Sequence, residues 1–82
     1  MMDITEKDVI RTIVELRDDS SVPRNVKAHL DAAEKELRKG DERVIKVNKA
    51  LNHLEEIADD TNLQSYTRTQ LLCIVSMLEK LH

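Results

Sequence analysis

Three histidines, one cysteine and two aspartate pairs are the side chains most able to do chemistry here, and their spacing decides whether they do any. His29, His53 and His82 are not spaced as a metal pair on one helix. A di-iron bundle needs Glu-x-x-His on two helices. Glu79-Lys80-Leu81-His82 supplies it once, and His53-Leu54-Glu55-Glu56 runs in reverse. We therefore expect no metal, and read His29 and His53 as ordinary half-exposed helix residues. Cys73 would act as a nucleophile only beside a base that activates its thiolate. Inside Leu71-Leu72-Cys73-Ile74-Val75 it reads instead as a small buried core residue. Asp18-Asp19 and Asp59-Asp60 resemble acid/base carboxylates in type alone. With Ser20, Ser21, Thr61 and Asn62 beside them, they read as turn and cap residues. A single glycine cannot build a phosphate-cradling loop. The expectation is no catalytic residue, no cofactor and no enzyme.

Charge and apolar surface leave more to work with. Arg24, Lys27 and Arg68 stand at two helix starts, where the dipole disfavours them. If those starts share one end of the fold, the three form a candidate contact for an acidic or phosphate group. Arg38, Lys39, Arg43, Lys46 and Lys49 form a second basic cluster, the candidate nucleic-acid face. Against that reading stand a net charge of −3 and one aromatic residue, Tyr66, which leaves no base-stacking platform. The last helix is apolar nearly all round, and Leu72 and Val75 are its candidate partner-docking residues. With 82 residues and no possible internal disulfide, self-association would add stability, so a homodimer is considered. The longest apolar run is far too short to span a membrane, and the charged N-terminus does not read as a secretory signal. A lone cysteine fits a reducing compartment. We expect a soluble cytoplasmic chain forming one domain over residues 1–82.

Four helices must position these groups. One glycine and one proline, with charged residues at 35%, suit long helices and short connections. Thr5 with Asp8 reads as the N-cap of the first helix, which carries Val9, Ile10, Ile13, Val14 and Leu16 at helical spacing. Pro23 is placed at the first position of the second, whose seam is Val26, Leu30, Ala33 and Leu37. Gly40 reads as its C-terminal stop. The third helix runs from about Asp41 or Glu42 to Asp59, and the fourth from about Ser65 or Tyr66 onward. At an offset of 41 residues Glu15 falls on Glu56, Asp18-Asp19 on Asp59-Asp60, Leu30 on Leu71 and Leu37 on Leu78. Ile10, Ile13 and Leu16 fall on Leu51, Leu54 and Ile57. This reads as two related helical hairpins of HEAT type. Two repeats are too few to bury a solenoid core, so an all-α, up-and-down four-helix bundle is favoured.

The run Asp19-Ser20-Ser21-Val22-Pro23-Arg24-Asn25-Val26-Lys27, with Asp60-Thr61-Asn62-Leu63, Tyr66-Thr67-Arg68-Thr69 and Val75-Ser76-Met77-Leu78-Glu79, resembles a small archaeal family, uncharacterised protein family 0147. The resemblance covers nearly the whole chain. It implies a compact bromodomain-like bundle in an archaeal cytoplasm, and brings no functional residues with it. Where that family commonly has prolines in the last linker, Thr61 and Gln64 stand here; where it often has a tryptophan, Leu72 stands. The leading expectation is a non-catalytic protein-interaction module, docking a protein partner or itself through Leu72 and Val75. An RNA- or ribosome-associated factor using the basic cluster is the alternative.

Overall fold

The computed structural model describes residues 3–81. They form α1 (Glu6–Arg17), α2 (Arg24–Arg38), α3 (Arg43–Ala58) and α4 (Ser65–Lys80), with no strand among them. The Glu-x-x-His ending in His82 lies partly outside the described residues. Each terminus has a local cause. Thr5 caps α1 through a reciprocal pair: its Oγ1 accepts from the Asp8 amide at 3.2 Å, and its own amide donates to Asp8 Oδ2 at 3.0 Å. Pro23 is the residue before α2 rather than inside it, with extended backbone that points the chain into the helix. Gly40 does not end α2 by the left-handed route. No glycine has positive φ, and the chain leaves α2 by extending already at Lys39. The stop is therefore a change of direction in an L residue, and the glycine is conformationally dispensable.

The helices form a closed ring. α1 packs on α2, α2 on α3, α3 on α4, and α4 returns to α1. The α2–α3 interface is the most extensive and α1–α4 the slimmest, while the backbones of the diagonal pairs stay apart. Short connections make each neighbour antiparallel, so the four run up and down. Ring closure decides against an open stack of hairpins. Inside lies one aliphatic core: Val9, Ile13 and Leu16 from α1, Val26, Leu30, Ala33 and Leu37 from α2, Val47, Ala50, Leu51, Leu54 and Ile57 from α3, and Leu71, Ile74 and Leu78 from α4. Burial of these seams outweighs the chain entropy that a small domain must overcome. No helix among the described residues is long and apolar enough to cross a membrane.

The repeat is visible in the geometry. α1 and α3 end at Arg17 and Ala58, and α2 and α4 begin at Arg24 and Ser65, each pair 41 positions apart. The turns between them match bond for bond. Asp19 N donates to Leu16 O and Val22 N to Asp19 O; Asp60 N donates to Ile57 O and Leu63 N to Asp60 O. The aspartate carboxylates repeat as well: Asp19 Oδ1 accepts from Ser21 N at 2.9 Å, and Asp60 Oδ1 from Asn62 N at 2.8 Å. These are side chains that close turns, as their neighbours implied. Carrying α1 onto α3 and α2 onto α4 then carries the α2–α3 interface onto the α4–α1 interface. The ring thus has an approximate twofold built into its sequence.

Candidate functional site

The two histidines separated by 24 residues in sequence meet in space. His29 of α2 and His53 of α3 stand edge to face with ring centres 6.3 Å apart. Both are half-buried, and Nδ1 of His29 lies 3.8 Å from Oε2 of Glu56. With Ala28 and Ala32 they line an open recess of about 280 Å³. The alanines make the recess, because a larger side chain at either position would fill the space between the helices. A sequence signal for this pair exists. Residues 29 and 53 are equidistant from position 41, so an antiparallel hairpin folding near Gly40 brings them level. Reading each helix separately conceals it. Thus His29 and His53 are half-buried, as expected, yet they act as a pair rather than as isolated residues.

The corresponding interface of the ring, α4 on α1, is the slimmest of the four and has a smaller recess of about 90 Å³. It is lined by Thr12, Glu15, Leu16, Asp19, Tyr66 and Gln70. In the repeat Thr12 corresponds to His53, Glu15 to Glu56, and Gln70 to His29. The fold therefore opens a recess at both interfaces, keeps a glutamate at the matching position of each, adds Asp19 to the second, and places imidazoles only in the first. Among the described residues no three His, Cys, Asp or Glu side chains converge into a ready cage for a metal ion.

The basic groups are distributed less openly than their sequence suggests. Arg38 Nε donates to Glu34 at 2.8 Å, and Lys39 Nζ to Glu36 at 3.1 Å. Lys46 and Arg43 of α3 both reach Glu6 of α1, at 3.1 and 3.4 Å, tying the diagonal helices together at one end. Lys49 lies within electrostatic reach of Glu36, whose carboxyl is held below the ordinary range by the hydrogen bond from Lys39, with Lys49 and His53 contributing. At the opposite end α2 and α4 both begin, but across the diagonal, so Arg24 and Lys27 do not adjoin Arg68 along a shared interface. Arg68 Nη2 donates to the Asp60 carbonyl at 2.6 Å and so fastens the last turn. Lys27 faces the Asp19 carboxylate, which the Ser21 hydrogen bonds hold below its usual range. Arg24 is exposed.

Helix α4 corrects one expectation, the burial of Cys73. It is not enclosed on all sides: Thr67, Leu71, Ile74 and Leu78 face the core, while Leu72 stands 52% exposed. Cys73, expected as a buried core residue, is exposed, because one helical step past Leu72 carries it still on the outward arc of the helix. Val75 is half-buried and packs against the core edge. Val44, Ile45 and Tyr66 are the other large exposed apolar or aromatic side chains.

The outer face between α3 and α4 that carries Leu72 has a counterpart in the first hairpin. There Arg17 of α1 lies across α2, with Nη1 donating to Glu34 and, at 3.2 Å, to Asp31. Lys35 and Arg38 complete the arrangement on the two carboxylates. At the matching positions of the second hairpin stand Ala58, Leu72 and Val75. One groove is covered by its own ion pairs. Its twin has no such ion pairs at Ala58, Leu72 and Val75, with Ser76 and Glu79 at the places of Lys35 and Arg38.

Comparison with known proteins agrees with this architecture. Residues 2–81 match the profile of the uncharacterised protein family UPF0147. A UPF0147 protein of Methanocaldococcus jannaschii is 39% identical over 75 residues, covering 90% of this chain and 81% of its own. One from Archaeoglobus fulgidus is 31% identical over 92% of this chain and 86% of its own. Among solved structures, a UPF0147 protein of Thermoplasma acidophilum superposes with a TM-score of 0.89 at 30% identity, covering 93% of this chain and 91% of that one. A crystal structure of a protein of unknown function gives 0.86 at 31% identity, covering 96% of both chains. The sequence match over nearly all of the chain and the shared helical fold place it in one family: the chain belongs to the archaeal-type uncharacterised protein family UPF0147.

Proposed function

We propose that the chain is a non-catalytic interaction module of the cytoplasm that docks an apolar helix of a partner protein in the α3–α4 groove. The observation that carries this reading is the asymmetry between two equivalent grooves. Arg17, Asp31 and Glu34 cover the first; Ala58, Leu72 and Val75 leave the second apolar. A duplicated hairpin needs only one solution to cover a groove, so its abandonment in one copy calls for another occupant. Val44 and Ile45 of α3 are further exposed aliphatic side chains. Two aliphatic side chains over a small residue are the complement of a helix presenting i, i+3 and i+4 anchors. An exposed, unpaired Cys73 suits a reducing compartment. The nucleic-acid reading draws less support, since Arg38, Lys39, Arg43 and Lys46 each already meet a carboxylate.

The test is capture from an archaeal host with a tagged chain, with and without nuclease, using Leu72→Arg and Lys49→Glu as paired variants. A protein retained after nuclease, released by Leu72→Arg and kept by Lys49→Glu supports the groove. If the bound species is this chain itself, the occupant is a second copy. A ribosomal set that disappears with nuclease and with Lys49→Glu overturns the reading in favour of RNA association.

A further inference from the structure

We propose that His29 and His53, with Glu56 beside them, form a binding site for a borderline divalent cation of the zinc or nickel type, spanning α2 and α3. Three observations converge. First, neutral imidazole is the preferred nitrogen donor for these ions, and two imidazoles come from facing helices with centres 6.3 Å apart. Two imidazoles sharing one ion at about 2.0–2.1 Å have ring centres roughly 5–6 Å apart. Both histidines are only half-buried, so a small side-chain rotation closes the difference without moving the helices.

Second, the cation would not be isolated in charge. Glu56 Oε2 stands 3.8 Å from His29 Nδ1. Ligating histidines are oriented by a carboxylate at the nitrogen they do not use, and Glu56 stands where it can serve. The open recess gives an ion and its remaining water ligands a path in. No third protein donor is already in place, so the site binds by two imidazoles and takes its other ligands from solvent.

Third, the fold supplies its own control. The recess repeats at the α4–α1 interface with Gln70 and Thr12 where the imidazoles would stand, while Glu15 keeps the place of Glu56. A recess required only by packing would need no imidazole, as the second copy shows. The cation would act as a clamp across α2 and α3, independent of the docking groove on α3 and α4.

The test uses the full chain titrated with Zn²⁺ and with Ni²⁺, read by calorimetry and by the imidazole NMR signals. The expected result is one ion per chain, with His29 and His53 resonances moving together. His29→Ala and His53→Ala each weaken binding at least tenfold, while His82→Ala and Cys73→Ser leave it unchanged. Binding that vanishes with His82→Ala or Cys73→Ser, or resonances of only one recess histidine moving, overturns the proposal. So does the absence of saturable binding. The wild-type resonances decide the question even if a histidine variant fails to fold.

Discussion

Truncating Leu30 and Leu72 to alanine separates the core from the surface that we propose as the docking groove. Leu30 is 0% exposed and sits in the middle of α2 against the aliphatic core. Its removal forfeits the transfer of the side chain and leaves a cavity, about 2–5 kcal/mol in total. For Leu72 the calculation differs. Full burial of a leucine contributes about 1.5–3 kcal/mol, and 52% exposure leaves roughly half of that, about 1 kcal/mol, in the isolated chain. A domain of this length has about 4–12 kcal/mol of stability altogether, so Leu30→Ala approaches the limit of what folds. Urea denaturation followed by helical circular dichroism, run at low and high protein concentration, gives both costs. At low concentration Leu72→Ala should cost less than half as much as Leu30→Ala. If a second copy covers the groove, the cost at Leu72 grows with concentration toward the Leu30 value. Equal costs at low concentration would mean that Leu72 is already buried in the single chain, and the docking argument would fail at its first step.

Other residues make sharper local tests. Gly40→Ala should stabilise by about 0.4–1 kcal/mol, seen as a higher Tm, because φ is not positive and a new Cβ meets nothing within 4 Å. Thr5→Ala should cost about 0.5–2 kcal/mol by opening the α1 cap, whereas Glu42→Ser should gain up to about 1 kcal/mol because Glu42 makes no side-chain cap bond to α3. Acid should unfold the chain below about pH 4. The Asp8, Asp19, Asp31 and Glu36 carboxyls are all held below their ordinary range by hydrogen bonds, from Thr5, Ser21, Lys35 and Lys39 respectively. A depressed carboxyl contributes stability that is complete above its unfolded pKa and lost as pH falls through its folded one. A stability profile flat from pH 7 down to pH 3 would contradict all four assignments.

Much of the fold was legible because its signals are local. The Thr5–Asp8 cap, the Asp-Ser and Asp-Thr-Asn turns and the apolar seams each depend on neighbours within a few residues. Helix starts were read within one or two positions for the same reason. The relations that failed or were missed are relations between helices. Whether Cys73 faces in or out depends on which arc of α4 meets α1 and α3, and an apolar run of five residues does not contain that phase. The meeting of His29 with His53 needs the position of the α2–α3 turn as well as the two helix phases. The basic cluster read as a candidate nucleic-acid face because Glu6, which Arg43 and Lys46 meet, comes from another helix.

The duplicated hairpin gives these missed relations a common explanation. Equivalent positions in a repeat face equivalent surroundings, so any pair that differs in chemical type marks a place where one copy was held to a different requirement. In the core the pairs mostly agree, Leu30 with Leu71, Ile13 with Leu54 and Leu37 with Leu78, the buried Thr67 against Val26 being an exception. On the outer surface they part at Arg17 against Ala58, Asp31 against Leu72 and Glu34 against Val75, and in the recesses at Thr12 against His53 and Gln70 against His29. Stability alone does not favour the second set. An exposed leucine gains little where an ion pair already sealed the groove, and two adjacent imidazoles contribute little more to packing than a threonine and a glutamine. Reintroducing the first hairpin's residues tests this directly. The fourfold change Ala58→Arg, Leu72→Asp, Val75→Glu and Glu79→Arg should seal the second groove as the first is sealed, since Arg38 pairs with Glu34 there. Arg17 in the native groove is about three-quarters shielded and reaches two carboxylates, so the transplanted set should hold overall stability within about 1 kcal/mol. Urea denaturation measures that balance, and loss of the captured partner with the fold intact is the expected outcome. A variant that unfolds outright would mean that Leu72 and Val75 are core residues after all, and that the two grooves differ for reasons of packing.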